Sequence, residues 1–273
     1  SFNRCMARAV AGVIGWPVAH SKSPMIHRFW LGKLGLDGDY SRFPVHPDNL
    51  GTAIRAMPAL GLRGVNVTIP HKVAVMAHLD RIDAGAAAVG AVNTVHVTPD
   101  GLVGYNTDVA GIAGPIAHLP LDGRPVVILG AGGAARAALA VARGLGGPVT
   151  LVNRSADRAA ALLAEMQVAG TVQAPGTALP AAALLINATS LGMTGQPPLD
   201  IDLAPLAPDA CVFDCVYAPL DTPLLQAARA RGLTTIDGLS MLIGQAAAAF
   251  ELFYGAPAPR QFDDALRALL VKV

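Results

Sequence analysis

Short apolar runs alternate with longer stretches of helical periodicity along the whole chain. This alternation predicts an α/β fold, in which strands are buried between helices. The predicted strands are Ala9–Ile14, Tyr40–Val45, Val65–Thr68, Val92–Val97, Leu102–Tyr105, Val126–Leu129, Val149–Val152, Leu184–Ile186, Cys211–Val216 and Thr234–Ile236. The predicted helices include Asp48–Met57, His71–Leu79, Asp108–His118, Leu239–Tyr254, Phe262–Leu270 and one beginning at Ser23-Pro24, with the serine as cap and the proline at the first helical position.

The pattern divides the chain into two α/β domains. The helix from Asp108 and the loop 119–125 form the junction, after which strand–helix units repeat. The division expected is therefore 1–107 with 239–273 against 108–238, the two closing helices returning to the first domain. The active site is expected between the two domains.

Composition narrows the class of protein. Of 273 residues, 53% are hydrophobic and 14% charged, enough apolar material for a large core. The net charge of +1 offers no general attraction to nucleic acid or to anionic lipid. The longest uncharged stretch, Met166–Leu199, is broken by prolines and glycines, so no membrane-spanning helix is expected. Three cysteines argue against a disulfide framework, and a cytoplasmic protein is expected.

A dinucleotide-binding turn follows the strand Val126–Leu129. Its spacing is G-x-G-x-x-A, in which Gly130 permits the tight turn and Gly132 allows the backbone to approach a pyrophosphate. Ala131, Gly133 and Ala134 complete the loop, and Ala135 permits close packing of helix on strand. The alternative is a strand–helix turn without a ligand, but the preceding strand and the following helix favour a nucleotide site.

The end of the next strand favours NADP over NAD. An enzyme selecting NAD normally carries an acid there, whereas this chain has Asn153-Arg154-Ser155, with Arg158 one turn later. The two arginines can grip a 2′-phosphate, and Ser155 can cap the following helix. The alternative is two solvated arginines at a helix start, where cations are mildly unfavourable.

Several motifs together resemble the shikimate dehydrogenase family, in its order and over nearly the whole chain. They are Gly15-Trp16-Pro17-Val18-Ala19-His20-Ser21-Lys22-Ser23-Pro24, Asn66-Val67-Thr68-Ile69-Pro70-His71-Lys72, Gly90-Ala91-Val92-Asn93-Thr94, Asn106-Thr107-Asp108, the glycine loop, Asn187-Ala188-Thr189-Ser190-Leu191-Gly192-Met193, Tyr217-Ala218-Pro219 and Gly238 to Gln245. The resemblance implies interconversion of 3-dehydroshikimate and shikimate with NADPH, by an N-terminal substrate domain and a Rossmann-type domain.

The resemblance assigns catalysis to Lys72 and Asp108. Ketone reduction requires a proton donor beside the oxygen, and an ammonium both donates and stabilises the developing alkoxide. Lysine is scarce in this chain, and Lys72 lies among uncharged residues at an expected helix start. The alternative for one lysine is a solvated surface position.

The resemblance also assigns substrate contacts. Ser21 and Ser23, alternating on an extended segment, are expected to bind the carboxylate together with Tyr217. Ring hydroxyls are expected to meet Thr68, Asn93 and Gln245. Helix capping is an alternative for Ser23, local backbone bonding for Asn93 and an exposed stripe for Gln245.

The remaining implied contacts are with the cofactor: Thr189, Ser190, Met193, Gly238 and Met241. Core packing is an equal alternative for Met241. His20 and His27 lack acidic neighbours, so no metal site is expected. Other hypotheses are a quinate/shikimate or aminoshikimate dehydrogenase, a methylenetetrahydrofolate dehydrogenase-like enzyme and a non-catalytic NADPH sensor. Monomer and homodimer both remain open.

Overall fold

The computed structural model describes residues 8–272, which form two compact units. The first contains the described residues up to Thr107 and those from Gln245 onward, and the second is Asp108–Gly244. The second boundary between the units, after Gly244, falls inside the helix Gly238–Tyr254. The sequence pattern placed this boundary after Gly238.

The first unit is built on a mixed sheet of six strands in the order β2-β1-β3-β5-β6-β4. β1 pairs in parallel with β2 and β3, while β5 runs antiparallel to β3 and β6. Its strands are β1 Ala9–Gly15, β2 Gly38–Pro44, β3 Leu62–Val67, β4 Arg81–Ile82, β5 Thr94–Thr98 and β6 Gly101–Tyr105. Its helices are α1 Ser23–Leu34, α2 Leu50–Ala56, α3 Ala84–Val89 and α9 Asp263–Val271, with short 3-10 turns at Pro47–Asn49, Ala74–His78 and Arg260–Phe262.

The second unit is a parallel sheet in the order β12-β11-β10-β7-β8-β9. This is the doubly wound order of a dinucleotide-binding fold, with the switch point between β7 and β10. Its strands are β7 Val126–Leu129, β8 Val149–Val152, β9 Gly170–Gln173, β10 Leu184–Asn187, β11 Cys211–Asp214 and β12 Thr234–Ile236. Its helices are α4 Asp108–Ile116, α5 Gly133–Leu145, α6 Ala156–Glu165 and α7 Pro223–Ala230, and α8 Gly238–Tyr254 begins in it.

The central strands of the second unit are buried because they are apolar along most of their length. Every residue of β7, β8, β10 and β11 is buried, as expected for strands covered on both faces. Ala135 on α5 is fully buried against this core, which also contains Ile128 and Leu151. The two-domain α/β architecture predicted from the sequence is thereby confirmed.

Some local predictions are wrong. His71–Leu79 forms only a 3-10 turn from Ala74, so Lys72 lies in a turn and not at a helix start. The short elements β4, α3 and β9 were not predicted. The predicted strand Cys211–Val216 ends at Asp214, so Cys215 lies beyond the end of β11.

No helix in the described part of the chain is long and apolar enough to cross a membrane.

Candidate active site

The substrate residues predicted in the first unit gather at one edge of its sheet. The segment Ser21–Ser23, called the serine turn, follows β1, and Thr68 and Lys72 follow β3. The carboxyl ends of β1 and β3 lie side by side. β5 runs antiparallel to β3, which places the preceding Asn93 at the same edge. The edge therefore carries hydroxyl, amide and ammonium groups from three segments.

The serine turn is not an extended strand. Lys22 is helical and occupies the N-cap position of α1 without a side-chain cap bond, so the predictions of an extended segment and of Ser23 as cap are wrong. Ser21 provides the local bond instead, because its Oγ accepts the backbone N–H of Ser23 at 3.3 Å. The Nζ of Lys22 donates to the Leu270 carbonyl at 2.7 Å.

A chain of buried hydrogen bonds crosses the sheet from Tyr40 on β2. Tyr40 Oη donates to Asn66 Oδ1 at 2.7 Å, and Asn66 Nδ2 donates to Thr94 Oγ1 at 2.9 Å. The Ser23 hydroxyl lies near the Tyr40 phenol and lowers the pKa of Tyr40, against the effect of burial. Burial raises the pKa of Tyr40, which keeps the phenol protonated. Sequence reasoning assigned no role to Tyr40 or Asn66.

Asn93 continues this network. Its Oδ1 accepts the Thr107 N–H at 2.7 Å, and its Nδ2 donates to Thr107 Oγ1 at 2.9 Å. The side chain is buried and bonds to a residue fourteen positions away, so the alternative of local backbone bonding is wrong. Asn93 thus holds the end of the segment that leads into Asp108.

Backbone bonds fix the turn that carries Lys72. The His71 N–H donates to the Thr68 carbonyl at 3.0 Å, and the Val92 N–H donates to the Lys72 carbonyl at 2.8 Å. Lys72 is half-buried, which rules out the fully solvated alternative. Thr68 is also half-buried, so both side chains remain accessible at the edge.

Two more predicted residues are buried polar groups. Gln245 is only 8% exposed, so the alternative of an exposed helix stripe is wrong. Asp108 is 4% exposed and is the first residue of α4, where the positive end of the helix dipole stabilises a carboxylate. A buried carboxylate and a buried amide both require polar partners.

The glycine loop of the second unit has the geometry expected of a nucleotide turn. Gly130 has φ +104°, and a Cβ there would lie 3.0 Å from Thr189 Cγ2. Gly132 is the N-cap of α5 and makes no side-chain cap bond, while open space surrounds its Cα. The first N–H groups of α5 therefore have no side-chain acceptor from the N-cap, which suits the binding of a phosphate. Ala131, Gly133 and Ala134 are half-buried around them.

A cleft of about 1060 Å³ adjoins the ends of β7, β8 and β10. Its lining includes Asn153, Arg154, Thr189 and Ser190, four of the residues predicted to bind the cofactor. Ser155 caps α6, as predicted, by accepting the Arg158 N–H at 3.3 Å. Arg154 and Arg158 are exposed, and these cationic side chains suit a phosphate.

A buried carboxylate connects the loops beside this cleft. Asp214 accepts from Asn187 at 2.9 Å, from the Val216 N–H at 3.0 Å and from Thr222 at 2.6 Å. Burial raises the pKa of Asp214, and these three hydrogen bonds oppose that rise. Asn187 Oδ1 in turn accepts the Thr189 hydroxyl at 2.7 Å. Sequence reasoning missed Asp214, although an acid inside a buried strand was the available signal.

The remaining predicted residues lie around the same loops. Tyr217 is half-buried, and burial raises the pKa of its phenol. The Met193 N–H donates to the Ser190 carbonyl at 3.1 Å. A Cβ on Gly238 would collide with the backbone of Cys215 and Val216, so close packing is sufficient to explain why this position is glycine. Met241 packs partly buried against the core.

Within residues 8–272, no group of three or more His, Cys, Asp or Glu side chains is arranged to hold a metal ion. His27 is fully buried among aromatic rings, and stacks on Tyr40 with centroids 4.0 Å apart. Cys211 and Cys215 are free thiols. Cys5 lies outside the described residues.

Solved structures similar to this chain include enzymes with different substrates. A shikimate 5-dehydrogenase from Thermus thermophilus, in complex with NADP(H) and shikimate, is 37% identical with a TM-score of 0.84, covering 95% of this chain and 98% of that one. A 5-ketofructose reductase of Gluconobacter sp. strain CHM43 is 33% identical with a TM-score of 0.87, covering 96% and 97%.

Sequence comparisons are more specific. The model of the shikimate dehydrogenase substrate binding domain matches residues 13–95, and that of the shikimate 5'-dehydrogenase C-terminal domain matches residues 238–265. The shikimate dehydrogenase (NADP(+)) of Sphingopyxis alaskensis is 56% identical over 270 residues, covering 97% of this chain and 98% of that protein. The chain belongs to the shikimate dehydrogenase family.

Proposed function

We propose that this chain is an NADP-dependent shikimate dehydrogenase that interconverts 3-dehydroshikimate and shikimate. The observation that carries the proposal is the 56% identity to the Sphingopyxis alaskensis shikimate dehydrogenase (NADP(+)) over nearly all of both chains. The edge of the first unit supports it, because a serine turn, a lysine turn and a buried amide converge there. We place the activity in the cytoplasm as part of aromatic amino acid biosynthesis.

In this proposal the substrate carboxylate binds at the serine turn. The Ser21 oxygen accepts the Ser23 N–H, which directs the Ser21 hydrogen away from α1 and toward a ligand. The Ser23 hydroxyl, near the Tyr40 phenol, is proposed to join Ser21 on the carboxylate. The family resemblance also assigns the phenol of Tyr217 to this carboxylate.

Lys72 is the proposed proton donor to the ketone oxygen. When bound, NADPH supplies the hydride that reduces the carbonyl carbon. The Lys72 ammonium stabilises the negative charge that develops on the oxygen and passes a proton to it, becoming a neutral amine. In the reverse direction the neutral amine removes the hydroxyl proton. Asp108, a buried carboxylate at the start of α4, is the second residue to which the family resemblance assigns a catalytic role.

Neutral polar groups are proposed to bind the ring hydroxyls. Thr68 and Asn93 lie at the same edge as Lys72, and Gln245 provides an amide from α8. The Asn93 amide is held in one orientation by Thr107, so it is preorganised for a hydroxyl. Such fixed donors and acceptors discriminate a hydroxylated ring from analogues that lack a hydroxyl.

The proposed cofactor site is the glycine loop with the cleft beside it. The pyrophosphate would lie on the first turn of α5, and Arg154 with Arg158 would hold the 2′-phosphate. Asn153, Ser155, Thr189, Ser190 and Met193 border this site, and Gly238 with Met241 completes it toward the nicotinamide. The fit rests on the uncapped helix start and the two exposed arginines.

Replacement of Lys72 by alanine tests the proposed chemistry. We expect the rate of 3-dehydroshikimate reduction to fall by about 10²–10⁴-fold, the usual contribution of general acid catalysis. NADPH affinity, followed by cofactor fluorescence, should stay the same. Lys33→Ala is the matched control, since Lys33 Nζ lies over the Phe262 ring at 4.8 Å and is given no part in catalysis. Unchanged turnover in Lys72→Ala would refute the mechanism.

A further inference from the structure

We propose that Arg42 positions the serine turn for recognition of the substrate carboxylate, an inference that rests on the proposed function. Arg42 lies on β2, and its Nε and Nη2 both donate to the Ser21 carbonyl, at 3.0 Å and 2.6 Å. These charge-assisted bonds attach the turn to a strand.

The register of β2 explains how one strand reaches both serines. Tyr40 and Arg42 are two residues apart, so their side chains leave the same face of the strand. Tyr40 lies near the Ser23 hydroxyl, and Arg42 donates to the Ser21 carbonyl. β2 therefore lies beside both proposed carboxylate donors and is attached to the turn through Arg42.

The Ser21 peptide is fully engaged by this arrangement. Its N–H donates to the Val18 carbonyl at 3.1 Å, its carbonyl accepts from Arg42, and its Oγ accepts the Ser23 N–H at 3.3 Å. The hydroxyl hydrogen is the group of Ser21 that remains for a ligand. Loss of Arg42 would release the carbonyl and let the hydroxyl change direction.

Arg42 also supplies positive charge. Among the described residues, no ion pair joins Arg42 to a carboxylate, whereas Asp39 nearby on β2 pairs with Arg28 at 2.8 Å. The Lys22 ammonium is directed to the Leu270 carbonyl. Arg42 is therefore a cation attached directly to the turn that carries the two proposed carboxylate donors.

The experiment compares wild type, Arg42→Met and Arg42→Lys with shikimate and with methyl shikimate, which lacks the negative charge. For Arg42→Met we expect KM for shikimate to rise by about tenfold or more, the effect of one charge-assisted hydrogen bond. The kcat and the KM for NADP should stay within about twofold of wild type, because chemistry and cofactor binding use other groups.

The ester separates recognition of charge from general damage. Arg42→Met should lower the preference of kcat/KM for acid over ester, and Arg42→Lys should restore part of it. Arg55→Met, which removes an exposed arginine of α2, should leave the preference unchanged. An equal loss for acid and ester in Arg42→Met, or an unchanged KM for shikimate, would overturn the role of Arg42. Absence of shikimate binding to wild type, measured by calorimetry, would instead overturn the proposed function together with it.

Discussion

The Tyr40 hydroxyl bonds to Asn66 across an intervening strand. β1 lies between β2, which carries Tyr40, and β3, which carries Asn66, so this 2.7 Å bond crosses β1 on one face of the sheet. Tyr40 is fully buried and Asn66 is 5% exposed. Two polar groups in a core are therefore satisfied by each other, and they join β2 to β3, the strand that leads to Lys72.

Replacement of Tyr40 by phenylalanine should destabilise the protein. The substitution keeps the ring but leaves Asn66 Oδ1 buried without its donor, at a cost of about 1–3 kcal/mol. Chemical denaturation measures this change. Tyr254→Phe is the control, because the Tyr254 hydroxyl donates to the partly exposed Asp39 carbonyl and water can replace it. Equal losses in the two variants would contradict a special role for the buried bond.

His27 should make stability depend on pH. Burial lowers its pKa from 6.5 to about 3, so the folded chain holds a neutral imidazole. The stability associated with this group is fully present above pH 6.5 and is lost as the pH falls toward 3, because the unfolded chain takes up the proton first. The full shift amounts to about 5 kcal/mol. His27→Leu should flatten this acid limb of the unfolding free energy.

Phe250→Leu is the matched control for that measurement. Phe250 packs near His27, with ring centroids 5.8 Å apart, and carries no titratable group. Its loss should lower stability by a similar amount at every pH and leave the slope intact. A slope that persists in His27→Leu would show that other groups cause the acid dependence.

Gly238→Ala should destabilise the second unit, because the new Cβ meets backbone atoms of Cys215 and Val216 that have no side-chain freedom. Such overpacking costs roughly 1–3 kcal/mol, and a lower Tm reports it. Gly144→Ala makes the opposite prediction. Gly144 lies within α5 with open space around it, so alanine should stabilise by about 0.5–1 kcal/mol.

Arg154→Ser should reduce the preference for NADP over NAD. Loss of a charge-assisted contact with the 2′-phosphate should raise KM for NADP by about tenfold. KM for NAD, which has no 2′-phosphate, should change little and is the internal control. Steady-state kinetics with both cofactors measures the ratio. A parallel rise in both constants would mean that Arg154 binds another part of the nucleotide.

The second unit was predictable because its signals are local. Strands such as Val126–Leu129 are short, continuous and apolar, and turns rich in glycine or polar residues bound them. β4 was missed because a two-residue strand has no periodicity, and β9 because it begins with exposed residues. The 3-10 turn after Lys72 resembles an α-helix in sequence but ends after five residues.

The residues of the candidate site were predictable only where they belong to sequence motifs. Ser21, Lys72 and Asn93 stand in recognisable segments, but Tyr40 and Arg42 do not. Tyr40 meets Asn66 from 26 positions away, and Arg42 meets Ser21 from 21 positions away. Such pairs depend on strand register, which one sequence does not specify.

The central claim is tested most directly by following NADPH formation with shikimate and NADP, with NAD and quinate as parallel substrates. Rapid NADPH formation with shikimate and NADP, together with a much lower kcat/KM for NAD and for quinate, is the result that the account predicts. Absence of turnover with every pair, in a protein that still binds NADPH, would contradict the account and favour a non-catalytic NADPH sensor.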